Sequence, residues 1–146
     1  FEGSLPGLHI SVSNVSGIAA TPDNQGYWVV RATGGVYGFG DAENLGNAPT
    51  GGIVAITANP VGGGYWLTSS GGAVYNFGGA GFFNSLPGMG IAVSNIVSLV
   101  PSADGHGYLL VGSDGGLFAF GDATFPGSLP GLGIHVNNIV GAVHVT

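Results

Sequence analysis

The sequence predicts an all-β fold assembled from internal repeats of about 42 residues, and three observations carry that prediction. The triplet Gly26-Tyr27-Trp28 returns as Gly64-Tyr65-Trp66 and again as Gly107-Tyr108-Leu109, 38 and then 43 residues further on. Phe39, Phe77 and Phe120 recur at the same two offsets and close the segments GGVYGFGDA, GGAVYNFGGA and GGLFAFGDA. The phrase GSLPG at residues 3–7 comes back as NSLPG at 84–88 and as GSLPG at 127–131. The chain therefore divides into units at 1–43, 44–81, 82–124 and 125–146, three and a half copies in a single repeat domain of 146 residues, with the second copy shortened by a deletion.

The first strand of each unit is a short β-branched run, at residues 15–20, 53–57, 95–100 and 139–145. A turn rich in Asp, Asn and Gly follows, the residue types that accept the positive φ of tight hairpins. The second strand (27–30, 65–68, 108–111) places Tyr on one face and Trp or Leu on the other, so it is expected to be buried from both sides. The third strand (36–39, 74–77, 117–120) alternates cleanly. Tyr37 and Phe39, Tyr75 and Phe77, and Phe118 and Phe120 point one way, while Gly38, Asn76 and Ala119 point the other. A fourth, outer strand is expected after Gly-Asp-Ala, before the Ser-Leu-Pro-Gly turn. No segment keeps a 3.6-residue period over two turns, which leaves no place for a long helix.

Short antiparallel strands in such repeats predict a β-propeller-type arrangement of blades, with a β-trefoil as the alternative. The incomplete count favours the propeller, because a closed threefold fold has no use for a half copy.

Composition narrows the function. Only 5% of residues are charged, against a usual quarter, and 31 are Gly, yet the chain is 45% hydrophobic and so can form a core. A surface with so little charge is poorly protected against association, so much of the exterior is expected to be covered by another copy or a partner. The net charge of −6 with a single cation, Arg31, argues against nucleic acid, whose binding requires Lys and Arg. No apolar run approaches the length of a membrane-spanning helix. The opening on Phe1 fits a mature secreted chain or an excised segment, and zero Cys excludes disulfides and thiolate metal sites.

The combination GYWxV, GGVxxFGDA, GSLPG and VSGIAATPD resembles a repeat of exported and cell-surface proteins of actinobacteria, often found beside cell-wall hydrolases. The match runs over the whole chain. It is strongest at 26–30 with 34–42 and at 107–111 with 115–123, and weakest at 44–50. The resemblance implies a propeller-like, non-catalytic module with poorly defined ligands, secreted or held at the cell surface.

Residues that could carry chemistry are few. His9, His106, His135 and His144 do not recur in register and read as surface or turn residues, which leaves no metal site and no cofactor expected. Asp41 and Asp122 follow the third-strand aromatics, with Gly79 at the middle position; they read as ligand or Ca²⁺ groups at a rim, or as turn residues accepting local hydrogen bonds. Asp23, Asp104 and Asp114 lie in hairpin turns. Glycine-rich stretches such as Gly62-Gly63-Gly64 are not phosphate loops, since no Lys follows them. The loop aromatics Phe82, Phe83 and Phe125 are candidates for a contact surface or for packing between units.

The expected protein is therefore not an enzyme. It is a binding and self-associating β-repeat module, a homo-oligomer or polymer with a cell-wall glycan or protein as partner. The alternative is a structural subunit of an extracellular assembly joined through terminal strands, the segments bearing Phe1 and Leu5 and bearing Ile139, Val143 and Val145.

Overall fold

The computed structural model describes residues 15–123. They form three antiparallel three-stranded sheets, each contiguous in sequence: sheet I from β1 (Val15–Ala20), β2 (Gly26–Arg31) and β3 (Val36–Gly40); sheet II from β4 (Ile53–Ala58), β5 (Tyr65–Ser69) and β6 (Val74–Phe77); and sheet III from β7 (Ile96–Pro101), β8 (Gly107–Gly112) and β9 (Leu117–Gly121). The first strand of every sheet carries the same bulge, between Val15 and Gly17, Ile53 and Ala55, and Ile96 and Ser98. Position-for-position equivalence across the sheets follows: Ile18 pairs with Val29, Ile56 with Leu67, and Leu99 with Leu110.

The sheets stack face to face. β1 runs beside β4, and β4 beside β7. Successive side chains of a strand take opposite faces, so each middle strand gives one row to the sheet before it and one to the sheet after. Trp28, Val30 and Val36 of sheet I meet Ile53, Ile56, Tyr65 and Leu67 of sheet II in one core. Trp66 and Val74 of sheet II meet Ile96, Leu99, Tyr108, Leu110 and Phe120 of sheet III in a second. The two interfaces are the same contact repeated, with Trp28 against Tyr65 at 5.1 Å between ring centroids and Trp66 against Tyr108 at 5.7 Å. Burial of the middle strand from both sides, expected from its bulky residues, is met most fully in β5, where Tyr65, Trp66 and Leu67 are all inaccessible.

The expected outer strand is absent between residues 41 and 52 and between 81 and 95. Backbone groups that a ladder would pair are taken by side chains of the stacked strands instead. The Trp28 indole donates to the carbonyl of Glu43, and Trp66 to that of Gly81, both at 2.7 Å. The Tyr65 hydroxyl accepts from the amide of Leu45 and donates to the carbonyl of Gly46. Tyr108 does the same to Phe83 and Asn84. The one helical turn among the described residues, a 3-10 turn at Pro87–Met89, closes on Gly90 in the left-handed conformation.

One position breaks the pattern. Thr68 lies on the face of sheet II that looks toward sheet III, where sheet I has Val30 and sheet III has Val111. Its hydroxyl is buried without a hydrogen-bond partner. Removing an unsatisfied buried hydroxyl recovers its desolvation cost. Thr68→Val is therefore expected to raise the unfolding free energy by about 1 kcal/mol. Urea denaturation checks this, and a variant no more stable than the parent would contradict it.

Candidate functional site

Two features concentrate the polar and accessible groups: the hairpin turns at one end of the sheets, and a groove along the first strands. In sheet I the turn is built on Thr21. Its hydroxyl lies 2.6 Å from Asp23 Oδ1, 3.2 Å from Asp41 Oδ1 and 3.1 Å from the carbonyl of Gly26, and it accepts the Gly26 amide at 3.0 Å. Asp23 also accepts the amide of Gln25, as an Asx turn does. In sheet III Ser102 occupies the same place, 2.9 Å from Asp104 Oδ1 and 2.8 Å from Asp122 Oδ1, while Asp104 accepts the amide of His106. In sheet II Asn59, only 2% exposed, stands there, and its own amide reaches the carbonyl of Gly63.

Asp41 and Asp122 thus each join the turn of their own sheet. The β2–β3 and β8–β9 registers, Gly26 opposite Gly40 and Gly107 opposite Gly121, carry each carboxyl back over the turn 20 residues earlier. Sequence reasoning passed over Thr21, Asn59 and Ser102, although all three occupy one repeat position and all are hydroxyl or amide residues. It also did not join His106 to Asp122. Asp104, His106 and Asp122 present ligand atoms within 4.8 Å of one another, the one group of three among the described residues that could share a cation, and all three are exposed. His106 Nδ1 lies 3.4 Å from Asp104 Oδ2.

The paired carboxyls titrate apart. A hydrogen bond shared with Asp41, then those from Thr21 and Gln25, hold Asp23 below the ordinary carboxylate value of 3.8. The same shared bond raises Asp41, helped by partial loss of water and repulsion from Asp23. Asp104 is held well below its ordinary value by Asp122, then by the His106 amide and Ser102. The stability that the lowered Asp23 and Asp104 contribute is present above 3.8 and is lost as acid takes the pH through their folded-state values. Asp41 has the opposite sign: its contribution is present when protonated and is lost as pH rises from 3.8 through its higher folded-state value. A carboxyl-detected NMR titration is expected to place Asp41 above 3.8 and Asp23 and Asp104 below it. One common midpoint for all three would contradict the clasp.

Of the loop aromatics, Phe82 is 51% exposed. Phe83 packs edge-on to Tyr108 at 5.8 Å and to His106 at 6.5 Å. Phe125 lies outside the described residues, as do Phe1, Leu5, Ile139, Val143 and Val145.

The groove has a volume of about 410 Å³ and is walled by all three first strands, with Ala19, Ala55, Thr57, Ser98 and Val100 among its lining. The Thr57 hydroxyl donates across it to the carbonyl of Leu99, joining β4 to β7. Its uncharged lining presents neither a nucleophile paired with a base nor a pair of carboxylates.

No family model and no curated protein matches this chain.

Proposed function

We propose that this chain is a non-catalytic β-propeller-type repeat module, acting outside the cell or at its surface, that self-associates and holds a cell-wall glycan or protein partner. The observation that carries the reading is an unequal exposure of equivalent residues. Ile18 is 66% exposed, where Ile56 and Leu99 are 5% and 2% exposed. A stack of sheets joined by one repeated contact leaves the first sheet's outer face waiting for another such sheet. Three successive sheets with neighbouring first strands and side-chain-held connections support propeller blades over a trefoil. The low charge, with 5% of residues Asp, Glu, Lys or Arg, supports a surface meant to be covered. Resemblance to exported actinobacterial repeats supports the location. The acidic side chains bound into turn clasps support a role without catalysis.

Sedimentation velocity at micromolar concentration tests self-association, for which a mass above 14.4 kDa is expected. A panel of peptidoglycan and polysaccharide fragments tests glycan binding through the thermal midpoint. A midpoint unmoved by every fragment removes the glycan and leaves a protein partner. A monomer removes self-association.

A further inference from the structure

We infer that the outer face of sheet I docks the outer face of sheet III of a second copy, head to tail, by the same contact that joins sheets I, II and III. This rests on the self-associating module proposed above and specifies its interface.

Each sheet has two different faces. The leading face carries Ile56 and Tyr65 in sheet II and Leu99 and Tyr108 in sheet III, and it receives the sheet before it. The trailing face carries Trp28, Val30 and Val36 in sheet I and Trp66 and Val74 in sheet II, and it covers the sheet after it. Because the two faces differ, the contact is heterologous and has one direction.

Two faces are left over among the described residues, and they are of opposite kind. On sheet I's leading face, Val15 is 53% exposed while its equivalents Ile53 and Ile96 are each 1% exposed, and Tyr27 is only half-buried while Tyr65 and Tyr108 are fully buried. Val29 and Phe39 remain as a small cluster there, with Tyr27 stacked on Phe39 at 5.1 Å. On sheet III's trailing face, Leu109 and Leu117 are half-buried where Trp28 and Trp66, and Val36 and Val74, are buried. These rows are apolar and only partly covered, with Val29, Phe39 and Val111 buried within them, and each matches a row whose partner is seen twice within the chain. Continuity with those two interfaces selects a second copy as the occupant.

The test uses the full chain. Ile18→Glu blocks the leading face at an exposed position, and Leu109→Glu blocks the trailing face; Leu117→Glu replaces the latter if it fails to fold, as judged by circular dichroism. Each variant alone keeps one blocked face and is expected to sediment as a monomer, whereas the parent chain sediments as a larger species. Mixed in equal amounts, the Ile18→Glu chain offers its trailing face and the Leu109→Glu chain its leading face. A one-to-one dimer is expected, twofold the single-chain mass, and nothing larger.

A mixture that stays monomeric while the parent associates overturns this interface and leaves self-association standing. Variants that associate like the parent overturn it as well. A monomeric parent overturns both, and means that the chain's own terminal segments or a different protein covers the face.

Discussion

Trp66→Ala is expected to cost about 3–5 kcal/mol of unfolding free energy, the range for deleting a fully buried large aromatic. Trp66 is inaccessible, packs edge-on to Tyr108, and sits between sheets II and III. Its indole N–H also holds the carbonyl of Gly81, which is the point where the chain leaves sheet II without forming an outer strand. Truncation therefore opens a cavity in the interface and frees an acceptor in the connection at once. Trp66→Leu separates these effects, because it copies Leu109 of the third sheet and keeps most of the apolar volume while losing the N–H. It is expected to fall between the parent and the alanine variant. Urea unfolding followed by circular dichroism measures both, and Trp28 remains as a fluorescent reporter of the other interface. A loss below about 1 kcal/mol for Trp66→Ala would mean that the two sheets do not depend on this contact.

The strands were legible because their signal is local. Alternation in VYGFG and VYNF, β-branched runs such as IVAITA, and Tyr-Trp pairs with two bulky faces are properties of a few neighbouring residues. The missing outer strand was not legible for the converse reason. Whether residues 42–46 or 81–84 pair in a ladder is decided by groups 15 to 25 residues away, the Trp indoles and Tyr hydroxyls that take their amides and carbonyls. The turn clasps are an intermediate case. Asp23, Asp104 and Asp114 each accept an amide two residues on, which turn chemistry anticipates. Asp41 and Asp122 reach a hydroxyl 20 residues back, and that requires the strand register. The stacking of unlike faces was legible least of all. It appears only when Ile18, Ile56 and Leu99 are compared as one position in three surroundings.

Gly64→Ala is the second change expected to be severe, at about 3 kcal/mol or more, summing a positive φ with an overpacked contact. Gly64 has φ +89°, and a Cβ there would lie 2.1 Å from the carbonyl oxygen of Phe77, 2.7 Å from the amide nitrogen of Gly79 and 2.8 Å from that of Ala80. All three atoms are backbone, so no side chain can swing aside. Gly26 and Gly107 make the same approach in the other sheets, to the carbonyls of Phe39 and Phe120, which accounts for glycine ahead of every Tyr-Trp or Tyr-Leu pair. Gly63→Ala is the control. Its φ is +80°, but a Cβ there meets nothing within 4 Å, so it carries only the conformational cost of about 1–2 kcal/mol. The difference between the two variants isolates the steric part. If Gly64→Ala and Gly63→Ala unfold at the same urea concentration, the close approach of β5 to the turn after β6 does not hold in solution. If Gly64→Ala alone collapses, the turn after β6 must move, and the Gly81 acceptor of Trp66 moves with it.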